Sequence, residues 1–167
     1  GTAIHMLDDV HGGAGEQLVE WLYEINNTGK QKDLEAEIIN YQARVASFIP
    51  GFGHRFHKPA DPRTPRLMSL VRDAKDDGLI SGQFMELALS IEQHLAEMKG
   101  KPIPMNIDGA TAVIFAELGF APALARGLFC LSRSVGAMAH GFEQMQQGGR
   151  NKGPTPPHYR WRYTGII

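Results

Sequence analysis

Three loops of this sequence concentrate the side chains that could move a proton or bind an anion. In the first loop, His11 is followed by Gly12 and Gly13 directly before an apolar helical pattern. An imidazole beside the N–H groups of a helix start can stabilise a developing negative charge. A glycine-rich helix start with an incidental histidine fits the same residues, so both interpretations stay open.

The second loop runs from Ile49 to Arg63 and combines backbone freedom with positive charge. The segment Pro50-Gly51-Phe52-Gly53 precedes His54, and such residues let a backbone approach a ligand closely. Cationic or potentially cationic side chains follow, which suits an anionic ligand; they are Arg55, His57, Lys58 and Arg63. A solvated basic loop is the competing interpretation.

The third loop places Asp108 just ahead of an apolar helix, after Asn106 and Ile107. A carboxylate here either caps the helix by accepting backbone N–H groups or, if neighbouring helices desolvate it, serves as a general base. The local pattern alone favours the cap.

Other chemical sites fit the sequence less well. His54 and His57 are three residues apart but have no Cys partner nearby and no H-E-x-x-H motif, so no metal site is predicted. The Gly51-Phe52-Gly53 segment follows no strand and lacks the rest of a dinucleotide fingerprint. Cys130 lies among apolar residues and is expected in the core rather than as a nucleophile.

Helical spacing of apolar residues dominates the chain, so helices must position these loops. Apolar positions recur at helical intervals in Gln83–Met98, and Ala14–Asn26 and Leu34–Phe48 repeat that pattern. Thr64-Pro65 predicts a helix start, and Gly78 its end. Ser81 predicts the cap of the next helix, which ends at Gly100. The expected fold class is all-α.

The longest predicted helix begins at Pro122 and runs to about Gln147. It is apolar nearly all round, so we expect it to be central and buried. Arg133 lies inside it, and a buried guanidinium requires a partner. That partner is either an anionic ligand or a structural carboxylate.

The composition of the 167 residues excludes several classes of protein. Lys and Arg total 17 against 18 Asp and Glu, so the broad basic footprint of a nucleic-acid binder is missing. The longest apolar stretch, Ala110 to Leu131, is interrupted by Glu117 and Arg126, so no membrane span is expected. The single Cys excludes a disulfide framework and fits a reducing, cytoplasmic compartment.

Taken as a set, the loops resemble the citrate synthase family in order and spacing. The motifs are Val10-His11-Gly12-Gly13-Ala14, Pro50-Gly51-Phe52-Gly53-His54 with Asp61-Pro62-Arg63, Asn106-Ile107-Asp108, and Ser132-Arg133-Ser134-Val135-Gly136. The resemblance covers about Ile4 to Gly165. Within the family, Arg55, Gly109 and the segment Ala139–Gln144 resemble the citryl-CoA lyase branch.

The resemblance implies a role for each matching residue. Asp108 corresponds to the base that removes a methyl proton of acetyl-CoA. His11 corresponds to the histidine that hydrogen-bonds the resulting enolate, and His54 to the histidine that polarises the oxaloacetate carbonyl. Three arginines are implied to hold substrate carboxylates: Arg63, Arg133 and, from a partner subunit, Arg160, with His158 or Arg162 as alternatives. The residues implied to contact coenzyme A are Pro50, Gly51, Phe52, Gly53, Arg55 and Lys58. Acetyl-CoA enters as a substrate, and no tightly bound cofactor or metal is expected.

The resemblance also implies a homodimer that exchanges C-terminal arms and a subunit built of a large and a small domain. Residues 1–13 would end a large-domain segment, residues 14–118 would form the small domain, and residues 119–167 would return to the large domain. Most of that large domain precedes the matching region in the family. The chain is therefore expected to be part of a longer protein and to show no turnover alone.

Three functional hypotheses remain open at this point. The first is condensation of acetyl-CoA with oxaloacetate, with citryl-CoA cleavage by the same residues as its close variant. The second is a non-catalytic paralogue that binds coenzyme A or a dicarboxylate, against which the joint presence of His11, His54 and Asp108 argues. The third is a structural helical module in which every motif is a cap or a loop.

Overall fold

The computed structural model describes residues 12–148 and His158, and within them the chain is built of α-helices. The helices are α1 (Ala14–Thr28), α2 (Leu34–Arg44), α3 (Thr64–Asp76), α4 (Gln83–Lys99), α5 (Ile107–Glu117) and α6 (Pro122–Gln146). A short 3₁₀ helix, Lys30–Asp33, joins α1 to α2. The described residues contain no strand, and Phe52 and Met105 form an isolated bridge. The all-α prediction is confirmed.

The core lies where α1 and α4 pack around α5. α5 contacts α1, α3 and α4, and α2 packs against α4. Side chains with no exposed surface come from most of these helices; they include Leu18, Leu22, Ile25, Ile38, Ile91 and Val113. Because α5 is central, its N-terminal residues are held firmly by their neighbours.

Several helix ends differ from the sequence prediction. α2 ends at Arg44, and the two apolar residues beyond it, Val45 and Phe48, are exposed rather than on a buried helical face. Gly82, with φ of 76°, occupies the N-cap of α4 instead of Ser81. The N–H groups of that helix start are bound by the Glu117 carboxylate, which comes from the far end of α5. Gly100 ends α4 in the left-handed conformation, as predicted.

The prediction of a buried long helix is wrong for the described part of the chain. Ala125 is the one buried residue of α6, although α6 begins at Pro122 as expected. Its first turns pack against α1, where Arg126 Nε donates to Glu16 Oε2 at 2.5 Å. Beyond these turns no described residue covers the helix, so its apolar side chains are exposed; they are Leu131, Val135, Met138, Phe142 and Met145. We refer to these five residues as the α6 stripe.

None of the helices in the described ranges is both long enough and apolar enough to cross a membrane.

Candidate functional site

A cavity of about 460 Å³ lies between the start of α3, the N-terminal half of α5 and the middle of α6. It brings together three residues that the sequence singles out from distant segments, namely Arg63, Asp108 and Arg133. Thr111 and Ser132 add hydroxyl groups, and the rest of the wall is largely apolar: Leu67, Ile107, Phe115, Leu128, Phe129 and Gly136. One carboxylate between two guanidinium groups in a half-apolar wall suits an acidic substrate whose carbon centre must lose or gain a proton.

Asp108 is not the cap of its helix. The N-cap is Asn106, whose side-chain oxygen accepts from the N–H groups of Asp108 and Gly109 at 2.9 and 3.1 Å. Because Asn106 binds these N–H groups, the Asp108 carboxylate is not needed as the cap. Asp108 lies in the first turn of α5 and lines the cavity. The positive end of the helix dipole favours a negative charge there.

Arg63 lies directly before α3 and is held by Asp61. Nε and Nη2 of Arg63 donate to the two carboxylate oxygens at 2.9 and 2.7 Å. The hydrogen-bonded Asp61 carboxylate, with a smaller contribution from Asp108, raises the pKa of Arg63 above its usual range. The guanidinium therefore carries its charge at any physiological pH.

Arg133 comes from the middle of α6, where its guanidinium lies 4.9 Å from the ring centre of Phe129. The residue is exposed, which differs from the buried position expected from the apolar helix around it. Stacking on an aromatic face limits the orientations of the guanidinium, because the planar group keeps contact with the ring. Phe129 and Arg133 thus line the cavity together.

The loop that carries His54 is fastened to the start of α5. Gly53 N–H donates to Pro104 C=O at 2.7 Å, Asn106 N–H donates to Gly51 C=O at 2.9 Å, and Asn106 Nδ2 donates to Gly53 C=O at 2.6 Å. A Cβ on Gly109 would lie 2.3 Å from the carbonyl oxygen of Gly51, so the two segments cross without room for side chains. The second and third loops predicted from sequence thus form one structural unit.

His54 lies on this loop and is not part of the cavity wall. Its Nδ1 accepts from the N–H groups of Phe56 and His57 at 3.0 and 2.9 Å. A nitrogen that accepts two hydrogen bonds carries no proton, so the neutral ring holds its proton on Nε2. His54 can therefore donate from Nε2 to a carbonyl oxygen.

The residues predicted to contact coenzyme A fall into two groups. Pro50, Gly51 and Phe52 are buried, so they expose little surface to a ligand. Gly53 is half-buried, whereas Arg55 and Lys58 are exposed and can reach a phosphate.

Among the described residues, His54, His57 and Asp61 have ligand atoms within 4.8 Å of one another, which a metal ion would require. The oxygens of Asp61 are bound by a guanidinium, and Nδ1 of His54 is bound by backbone N–H groups. A cation would have to displace Arg63 before it could use that carboxylate, so the donor set suits the internal ion pair better.

Some residues of interest lie outside the described part of the chain, and two others organise the site without having been assigned a role from the sequence. His11, Arg160 and Arg162 lie outside the described residues, and His158 is exposed. Asp61 and Asn106 stand in the sequence motifs but were assigned no role there, although both organise the site. The Asp-Pro dipeptide before a helix was the available signal for Asp61, since it is typical of a side chain that binds its own backbone.

Comparisons with known proteins agree on one family. The family model described as "Citrate synthase, C-terminal domain" matches residues 6–162. The curated citrate synthase of Acidithiobacillus ferridurans is 32% identical over 139 residues, which are 81% of this chain and 35% of that protein. The chain thus spans about a third of the length of this relative.

Solved structures give the same picture. The citryl-CoA lyase of Hydrogenobacter thermophilus matches 98% of this chain and 61% of its own, with a TM-score of 0.77 and 29% identity. The citrate synthase of Thermoplasma acidophilum, solved with carboxymethyl coenzyme A and oxaloacetate, matches 96% of this chain and 42% of its own. Its TM-score is 0.64 at 23% identity, a likeness of fold.

Proposed function

This chain belongs to the citrate synthase family, and from that premise we propose that it supplies part of the active site of an acyltransferase that condenses acetyl-CoA with oxaloacetate. The observation that carries this proposal is the convergence of Asp108, Arg63 and Arg133 on one cavity. Substrates of this reaction are polyanions, and guanidinium groups fix a carboxylate in both charge and orientation.

The reaction assigns each of these residues a task. Asp108 removes a proton from the methyl group of the thioester, and His11 donates a hydrogen bond to the enolate oxygen. The enolate carbon attacks the oxaloacetate carbonyl carbon, whose oxygen is polarised by Nε2–H of His54 and takes up a proton from solvent to become the hydroxyl of citryl-CoA. Arg63 and Arg133, with Arg160 of a second subunit, bind the carboxylates. Water then cleaves the thioester to citrate and free coenzyme A.

Citryl-CoA lyase activity is the second candidate, and the match to a citryl-CoA lyase over 98% of this chain favours it. In that direction the bond between the two carbons breaks, the hydroxyl proton leaves to solvent, and Nε2–H of His54 donates a hydrogen bond to the carbonyl oxygen that forms. The acetyl carbon takes a proton from the protonated form of Asp108. Oxaloacetate and acetyl-CoA leave, and no thioester is hydrolysed. The same side chains serve both directions.

Domain organisation extends the proposal beyond the cavity. Residues 14–118 would form the small domain, and residues 119–167 would belong to a large domain whose remaining parts are contributed by residues outside this chain. The α6 stripe supports this division, because an exposed apolar row needs cover. We also propose a cytoplasmic homodimer in which C-terminal arms are exchanged.

The test is turnover by the full-length protein, measured with acetyl-CoA plus oxaloacetate and separately with citryl-CoA. We expect one of the two reactions in the wild type and its loss in Asp108→Asn, which keeps the size of the side chain but not the base. Asp73→Asn, on the exposed side of α3, is the matched control and should keep full activity. Activity that survives Asp108→Asn would remove Asp108 from the role of base, and binding of coenzyme A or citrate without turnover would favour a non-catalytic paralogue. The 167-residue chain alone should show no turnover.

A further inference from the structure

Asp61 is a buried carboxylate to which the proposed reaction assigns no step. Its side chain has no exposed surface, whereas 48% of the Arg63 side chain is exposed. Oδ1 accepts from the backbone N–H and from Nε of Arg63 at 3.1 and 2.9 Å. Oδ2 accepts from Nη2 of Arg63 and from the N–H of Ile107 at 2.7 and 3.0 Å. Both oxygens therefore bind Arg63, and one of them also binds the start of α5.

This arrangement fixes the guanidinium by one of its edges. Arginine presents its N–H groups in a rigid planar fork, so a carboxylate that holds Nε and Nη2 sets the plane of the whole group. The edge formed by Nη1 and Nη2 faces away from Asp61. Arg63 lines the cavity, and the N–H groups of this second edge can donate to a further carboxylate.

We propose that Asp61 is a positioning residue: it holds Arg63 with its Nη1–Nη2 edge presented to a substrate carboxylate. Because Asp61 also accepts the N–H of Ile107, it fixes the position of the Arg63 guanidinium relative to Asp108, the next residue of α5. This role rests on the proposed function, because it requires an acidic substrate in the cavity. The pKa of Asp61 lies well below its usual range, chiefly because of the hydrogen bond from Arg63, so the pair stays ionised at neutral pH.

A purely structural role is the competing explanation. The C=O of Asp61 also accepts the N–H of Thr64 at 3.3 Å, so the residue shapes the turn that leads into α3. A structural residue would affect stability without acting through Arg63. A double-mutant cycle separates the two roles because it measures the coupling between the side chains directly.

The experiment compares citrate binding by the full-length wild type, Asp61→Asn, Arg63→Gln and the double variant, measured by calorimetry. In Asp61→Asn the side-chain NH2 group replaces one carboxylate oxygen and cannot accept the N–H groups of Arg63. The guanidinium would be released, so we expect Asp61→Asn to weaken citrate binding about ten- to a hundredfold. In the Arg63→Gln background the same change should cause no further loss. Glu117→Gln is the matched control, since that carboxylate also binds several backbone N–H groups but lies at the other end of α5. It should lower thermal stability and leave citrate affinity unchanged.

If Asp61→Asn does not fold, Asp61→Ser replaces it. A serine oxygen can still accept the backbone N–H of Arg63 but is too short to hold both guanidinium nitrogens. Unchanged citrate affinity in the folded variant, or an equal loss in both backgrounds, would overturn the proposal.

A second measurement does not depend on activity. The Nε–H resonance of Arg63, identified by its disappearance in Arg63→Lys, should be protected from solvent exchange in the wild type and unprotected in Asp61→Asn. Equal protection in both proteins would overturn the positioning role. A wild type that neither turns over substrate nor binds citrate would instead contradict the proposed function, and the exchange comparison would still decide whether Asp61 holds Arg63.

Discussion

The two ring nitrogens of His54 have different surroundings, and the difference bears on catalysis. Nδ1 is bound by the N–H groups of Phe56 and His57, which shapes the tight turn after the histidine. Nε2 therefore carries the proton that a substrate carbonyl would receive as a hydrogen bond. One side chain thus supports the loop through one nitrogen and can act on a ligand through the other.

Substitution of His54 can separate these two tasks. In His54→Asn the amide oxygen takes the place of Nδ1 and can accept the same N–H groups, but nothing replaces Nε2–H. We expect the thermal midpoint to stay near that of the wild type and kcat to fall about a hundredfold or more, the usual contribution of a positioned proton donor. His54→Ala should lose both activity and stability. Comparable kcat in wild type and His54→Asn would show that Nε2 plays no part.

Gly109 follows the candidate base and is required by the crossing with Gly51. A Cβ at this position would also lie 2.5 Å from Cγ of Met105, so neither a backbone carbonyl nor a buried side chain leaves it room. The absence of a side chain here is what brings the His54 loop against the start of α5.

Gly109→Ala should therefore destabilise the protein and disturb the site together. Overpacking of this kind costs about 1–3 kcal/mol. Gly127→Ala on α6 is the matched control: apart from its chain neighbours and the backbone of its own helix, no described atom lies within 4 Å of its Cβ position. The change should therefore stabilise the helix by about 0.5–1 kcal/mol. Urea unfolding gives both values. If the two variants unfold at the same urea concentration, the crossing does not constrain Gly109.

At the scale of elements, α4 begins at an N-cap residue, Gly82, that has no side chain to bind the first N–H groups of the helix. Oε1 of Glu117 accepts from the N–H groups of Phe84 and Met85 at 2.7 and 3.1 Å, and Oε2 accepts from Gly82 N–H at 2.9 Å. Ser81 Oγ donates to the same carboxylate at 3.0 Å. The C-terminal end of α5 thereby caps α4, and a negative charge there also interacts favourably with the helix dipole.

Removal of this carboxylate should loosen the first turn of α4. We expect Glu117→Ala to lower the free energy of unfolding by about 1–3 kcal/mol, the cost of leaving partly buried donors without a partner. Amide exchange at Phe84 and Met85 should accelerate. Glu97→Ala, near the exposed end of α4, is the control and should change neither quantity appreciably. Unchanged exchange at the two amides in Glu117→Ala would contradict the capping role.

The sequence predicted the elements better than the contacts between them. Periodicity placed α1 and α4 because their apolar faces meet the core, and the start signal at Thr64-Pro65 with Gly78 placed α3. The order of motifs indicated that Arg63, Asp108 and Arg133 belong together. Glu117 and Asn106 show what such reasoning cannot reach. A cap supplied from another helix depends on the tertiary packing, and at the start of α5 two residues of capping type lie two positions apart, so only geometry decides between them.

At the scale of the whole molecule, the exposure of α6 is the feature that most needs a physical explanation. A helix completes one turn in about 3.6 residues, so Phe129, Arg133 and Gly136 lie on one side of α6 and the α6 stripe on the other. The first side lines the cavity. The stripe residues are between 59% and 78% exposed, an unusual state for a contiguous apolar row in water. Such a row is stable only when something covers it, and the proposed large domain would do so.

This explanation can be tested with one charge on each side of α6. Met138→Asp would place a carboxylate in the middle of the α6 stripe, and Gln144→Asp would place one on the far side at an exposed position. In the full-length protein, Met138→Asp should lower the thermal midpoint sharply, because an ionised group in an apolar contact is costly, and Gln144→Asp should not. In the 167-residue chain alone, Met138→Asp should reduce self-association, measured by light scattering, more than Gln144→Asp does. The reason is that a charge in an uncovered apolar stripe disfavours contact between copies of the chain. Full-length Met138→Asp that unfolds like the wild type would mean that the large domain does not cover the α6 stripe.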